Sequence, residues 1–80
     1  MSIDVFIYDN YYGELLEKIE LSNNIEDINY LIGKLSYLQY EMHIKTDYGW
    51  YVRLKNKETN CSIYGIESYE LLKYFLDRLG

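Results

Sequence analysis

The sequence predicts an α+β fold, a mostly antiparallel sheet of about five strands in the order β-β-α-β-β-β-α with two helices packed on one face. Three observations predict it. Several segments alternate apolar and polar residues with the period of two that a half-buried strand requires. Two others repeat apolar residues at three- and four-residue spacing behind an Asn or a Ser. Short gaps rich in Asp, Asn and Gly separate them.

Ile3 to Tyr8 opens the chain with Ile3, Val5 and Ile7 on one side and Asp4, Phe6 and Tyr8 on the other, and Asp9, Asn10 and Gly13 supply the turn that follows. Glu14 to Leu21 fits two patterns. Leu15, Ile19 and Leu21 match a strand face, whereas Leu15, Leu16 and Ile19 match a short helix; a strand is favoured because Ser22-Asn23-Asn24 starts a helix better than it continues one. Asn23 with Glu26 resembles a capping box, so the first helix is expected from about Asn24 to Ser36 on the stripe Ile25, Ile28, Leu31, Ile32, Leu35. Gly33 costs that helix about 1 kcal/mol relative to Ala, which predicts close packing against another element.

Leu38, Tyr40, Met42 and Ile44 alternate with polar residues, as do Trp50, Val52 and Leu54 beyond Thr46-Asp47-Tyr48-Gly49. A three-residue loop over Asp47 to Gly49, with Gly49 left-handed, sets Ile44 opposite Val52 and Met42 opposite Leu54. After the polar turn Lys57 to Asn60, Cys61 to Tyr64 reads as a last strand with Cys61 and Ile63 inward, broken by Gly65. Ser68 caps a final helix whose stripe is Leu72, Phe75, Leu76 and Leu79, ending at Arg78 and Gly80.

At 80 residues the chain is long enough for one core, so residues 1–80 are expected to form a single domain. Cys61 is the one cysteine, which excludes an intramolecular disulfide and fits a reducing cytoplasm. The start Met1 to Val5 has neither a basic region nor a long apolar run, and no apolar stretch approaches the length of a membrane span; a soluble cytoplasmic protein is the expectation.

Chemistry is poorly provided for. His43 is the one histidine and, on the expected register, lies on the polar side of its strand opposite Arg53. Cys61 has inward parity, and a thiol there lacks the base or the positive surroundings that make a thiolate. One His and one Cys cannot supply the four ligands of a structural zinc site, and the scattered glycines form no phosphate loop. No catalytic residue, metal site or cofactor is therefore assigned, and an enzyme is not expected.

Charge and aromatics point to binding. The net charge is −5, and the excess acid lies in the first half, where Asp4, Asp9, Glu14, Glu17, Glu20, Glu26, Asp27 and Glu41 face Lys18 and Lys34 alone. Glu14, Glu17, Glu20, Glu26 and Asp27 are the candidate acidic surface for a basic protein partner, with reversal of Glu17 and Glu20 to Lys expected to weaken it. With the helices over Ile3, Val5 and Val52, the other side of the sheet should show Phe6, Tyr8, Tyr51, Tyr64, His43, Lys45, Arg53 and Lys55. Phe6, Tyr8, Tyr51, Arg53, Lys55 and Tyr64 are the second candidate surface, and Tyr11, Tyr12 and Tyr48 in turns are adaptable contacts. Four readings compete: a ladder of cross-strand Tyr contacts that stabilises the sheet without any partner, a protein interface, a single-stranded nucleic-acid platform, or a homodimer. The net charge opposes phosphate binding, so nucleic acid is the lesser expectation. In size, charge and its richness in Asn, Ile, Lys and Tyr, whose codons are AT-rich, the chain resembles small acidic phage and plasmid proteins. That resemblance implies a non-enzymatic inhibitor or modulator of a nucleic-acid-processing or defence protein, of the anti-CRISPR or DNA-mimic type.

Overall fold

A computed structural model describes residues 2–80. The elements follow the expected order: β1 (Ser2–Asp9), β2 (Leu15–Ser22), α1 (Ile25–Leu35), β3 (Gln39–Thr46), β4 (Gly49–Lys55), β5 (Thr59–Ile66) and α2 (Tyr69–Leu79). The five strands form one sheet, β2-β1-β5-β4-β3, with every neighbouring pair antiparallel. Segment 15–22 is thus a strand. One apolar cluster joins the inward residues of β1, β4 and β5 to Ile28, Leu31 and Leu35 of α1 and Leu72 and Phe75 of α2, which puts both helices on the same side. Burying such a set drives the fold, at roughly 1.5–3 kcal/mol for each large apolar side chain.

Local chemistry sets the helix ends. α1 is capped by Asn24, whose Oδ1 accepts from Asp27 N at 2.9 Å, and the Asp27 carboxylate accepts in return from Ser22 N at 2.6 Å and from the Ser22 hydroxyl. The cap is therefore one residue later than the Asn23–Glu26 expectation. Asn23 sits outside the helix with its Oδ1 buried and unpartnered. Gly33 has no heavy atom within 4 Å of where a Cβ would sit, so close packing does not explain it. α2 is capped by Ser68, as expected, and Gly80 N closes on Leu76 O at 3.0 Å.

The sheet departs from expectation at three places. A bulge in β1–β2 pairs Ile7 with Glu17 and Tyr8 with Leu15, so Leu16 is the extra residue. Leu15 consequently leaves the face shared by Ile19 and Leu21 and stands half exposed on the helix-free side. Gly65 does not end β5. It lies inside the strand at φ +88, beside a register shift, where a Cβ would come within 2.3 Å of Ser2 O.

The third departure is the β3–β4 register. Thr46 pairs with Gly49 across a loop of Asp47 and Tyr48, so Ile44 faces Tyr51, Met42 faces Arg53 and His43 faces Val52. The slip of one residue turns Met42, His43, Ile44 and Lys45 to the opposite face from the one expected, while a bulge at Glu41 keeps Tyr40 across from Leu54 on the helix side. Two causes are visible. Gly49 is required at the start of β4, where a Cβ would meet Ile66 O at 2.8 Å, and not inside the loop. In addition β3 is an edge strand exposed along its whole length, so no helix draws Met42 and Ile44 inward.

Candidate functional site

The side of the sheet opposite the helices has no element packed on it. Alternation along β1 turns Asp4, Phe6 and Tyr8 to this open side, and pairing adds Tyr64 and Ser62 from β5 and Tyr51, Arg53 and Lys55 from β4. Met42 and Ile44 join them through the β3 register, whereas His43 and Lys45, expected here, lie on the helix side.

Aromatic contacts organise the centre. Tyr51 and Tyr64 have ring centroids 4.6 Å apart, and Phe6 meets Tyr64 edge-on at 6.0 Å. Tyr51 is 9% exposed although no helix covers it: Tyr64 lies against it, Arg53 Nε donates to its hydroxyl at 2.9 Å, and the guanidinium stands 5.9 Å from its ring. Tyr51 thus frames the surface from below and offers little area of its own. Partial burial, and then the neighbouring Tyr51 phenol, push the Tyr64 hydroxyl above its ordinary pKa. Lys18 stands 5.6 Å from the Phe6 ring.

Two hollows flank this cluster. One, an open groove of about 740 Å³, runs over β1 and β5 and is walled by the β3–β4 turn; Asp4, Phe6, Tyr8, Tyr48 and Tyr64 line it and Gly65 forms part of its floor. The other, about 510 Å³, is polar and lined by Asn10, Glu41, Arg53, Lys55, Asn60 and Ser62. Within it Lys55 is paired with Glu41 at 3.0 Å. The groove thus unites Phe6, Tyr8 and Tyr64 with Tyr48, a turn residue from a distant part of the chain. Tyr11 and Tyr12, 76% and 88% exposed, lie on the β1–β2 turn and do not line it.

The acidic candidates do not gather on one face. Glu17 turns to the helix side and pairs with Lys34 at 2.9 Å, a bond that holds the lysine above its usual pKa. Glu20 turns to the open side, 3.3 Å from Lys18. Asp27 serves the α1 cap, Glu26 lies in the first turn of α1, and Glu14 sits at the end of the β1–β2 turn.

Sequence reasoning passed over Asp4 as a groove residue, although its parity with Phe6 and Tyr8 placed it on their side. It also missed an aromatic row on the helix side, where Tyr40, His43, Trp50 and Tyr69 stand in successive contacts of 5.7, 5.9 and 5.4 Å. No sequence signal reports that row, since it depends on the β3 register. Tyr40 is hydrogen-bonded to His43 Nδ1. Burial pushes the Cys61 thiol up to about 12, and no group of three or more His, Cys, Asp or Glu among the described residues could hold a metal ion. No helix among the described residues is long and apolar enough to cross a membrane. Comparison with family models, curated proteins and solved structures found no match.

Proposed function

We propose that this chain is a non-catalytic binding domain that engages a protein partner through the open side of its sheet. The observation that carries the reading is the Phe6–Tyr64–Tyr51 cluster, set beside a groove with nothing packed over it. Tyr and Arg are the residues that dominate binding energy at protein interfaces, and rings already held by neighbours lose little entropy when a partner arrives. On the open side Lys55 is paired with Glu41 and Lys18 with Glu20, and the net charge of −5 opposes phosphate binding, which favours a protein over a nucleic acid. The acidic balance supports a basic partner, and the small size supports action by steric or electrostatic occupation, as in an inhibitor of nucleic-acid-processing or defence machinery. A buried neutral thiol and a histidine held by Tyr40 support a role without chemistry.

The test is affinity capture from a lysate of the expressing cell, comparing the natural chain with Phe6→Ser/Tyr64→Ser and with the helix-side control Lys73→Ser, all verified as folded by circular dichroism. Proteins captured by the natural chain and by the control should be absent with the double variant. Equal capture by all three would refute the reading. A homodimer is a second reading, favoured by the β3 edge, where Met42 and Ile44 are 36% and 50% exposed beside unpaired backbone groups. Sedimentation of a monomer at micromolar concentration would remove it.

A further inference from the structure

Resting on that reading, we propose that the groove over β1 and β5 receives an arginine side chain from the partner protein, its guanidinium paired with Asp4 and stacked against the adjoining Phe6 and Tyr64, with Tyr48 and Tyr8 lining the groove beyond them. The first support is the lining itself. Four aromatic residues and one acidic side chain, Asp4, line the groove, and no Lys or Arg does. Aromatic faces carry a negative quadrupole, so rings and carboxylate together favour a cation and reject an anion.

The second support is the state of Asp4. It stands directly across β1–β2 from Glu20 and directly across β1–β5 from Tyr64. Like charges in cross-strand register repel. The nearby cation, Lys18, contacts Glu20 at 3.3 Å, while the bond to Asp4 within the chain is a long one, 3.5 Å from the Ser2 hydroxyl. A guanidinium arriving at Asp4 would relieve the repulsion and meet a carboxylate with acceptor sites open.

The third support is size and shape. A groove of about 740 Å³ holds more than one side chain, so a stretch of partner backbone can enter with the arginine. Arginine fits better than lysine because a flat, weakly hydrated guanidinium can stack on one ring while donating two bonds to a carboxylate. The chain already uses this chemistry within itself, with Arg53 over Tyr51 at 5.9 Å and Arg78 over Tyr74 at 5.0 Å.

The probe is acetyl-Gly-Arg-Gly-amide, titrated into the isotopically labelled full chain and followed by NMR, beside the isosteric neutral peptide with citrulline in place of Arg and beside choline. The arginine peptide should shift resonances of Asp4, Phe6, Tyr48 and Tyr64 and saturate in the millimolar range. Citrulline should bind about tenfold more weakly, as should the arginine peptide to Asp4→Asn, the loss expected for one charge-assisted contact. Tyr48→Ala, in an exposed turn where folding is not at risk, should also weaken the arginine peptide. Equal binding of the citrulline peptide, undiminished binding to Asp4→Asn, tighter binding of choline, or shifts confined to other surfaces would each overturn the proposal. The two readings fail separately. A silent arginine titration with capture still abolished by Phe6→Ser/Tyr64→Ser removes the arginine and leaves the protein interface. Arginine binding with capture untouched by that double variant keeps the groove chemistry and removes the interface.

Discussion

Replacing Gly65 with alanine and Gly33 with alanine makes the same chemical change at two glycines, and the structure requires opposite outcomes. At Gly65 the backbone has φ +88, which costs an L side chain about 1–2 kcal/mol. The added Cβ would sit 2.3 Å from Ser2 O and 3.4 Å from Ser2 C, both backbone atoms that no rotamer change can move aside. To restore ordinary contact β1 and β5 must separate by about 1 Å, and overpacking of that kind costs about 1–3 kcal/mol. The total of roughly 2–5 kcal/mol is a large share of the stability of a domain this small. At Gly33 the Cβ meets nothing within 4 Å in a helix interior, so alanine should stabilise by about 1 kcal/mol. Urea unfolding followed by Trp50 fluorescence reads both, because Trp50 packs 5.4 Å from Tyr69 and loses that environment on unfolding. With a slope of roughly 1 kcal/mol per molar urea, Gly65→Ala should lower the midpoint by about 2 M or more and Gly33→Ala should raise it by up to about 1 M. A Gly65→Ala midpoint equal to that of the natural chain would refute the close approach of β1 and β5. Because Gly65 also floors the groove, the refutation would reach the candidate site as well.

Cys61 should react with iodoacetamide only when the chain is unfolded, since the thiol is fully buried and pushed up to about 12 from its ordinary 9.0; labelling of the native chain as fast as of the denatured chain would contradict this. The sign of the linked pH effect follows: below pH 9 both states hold the proton, while between 9 and 12 the unfolded chain alone releases it, so stability falls as pH rises through that window and Cys61→Ala should flatten the decline. The β3 register is tested by Ile44→Thr, which should change stability by less than about 0.5 kcal/mol at a site 50% exposed, against about 2 kcal/mol for Val52→Ala in the core; comparable losses by chemical denaturation would restore the register with Ile44 inward.

Most of the fold was legible because its signals are local. The β1 alternation, the α1 stripe and the α2 stripe all report which side of an element meets the core. Ile28, Leu31, Leu35, Leu72 and Phe75 are buried as expected and Ile32, Leu76 and Leu79 pack at the margin, whereas Ile25, expected in the α1 stripe, is 53% exposed in the first turn. The misplaced cap on α1 shows the grain of such signals: Asn23 and Asn24 are chemically alike, and the choice depends on which of them can stay extended while Asp27 reaches back to Ser22. Phe6, Tyr8 and Tyr64 were placed on the open side for the same reason of parity.

Residue order settled most of the strands and helices and which β1, β4, β5 and helical residues turn inward, since backbone period and side-chain hydrophobicity act between near neighbours; segment 14–21 fits both patterns, and its pairing with β1 makes it a strand. The three-dimensional packing settled the β3 register, the shielding of Tyr51 and the convergence of Asp4, Phe6, Tyr48 and Tyr64 on one groove. Those outcomes turn on distant contacts: the carbonyl of Ile66 against Gly49, that of Ser2 against Gly65, and an edge strand exposed along its whole length. An alternating pattern names the two faces of a strand, but only a neighbour that buries one of them decides which face goes in.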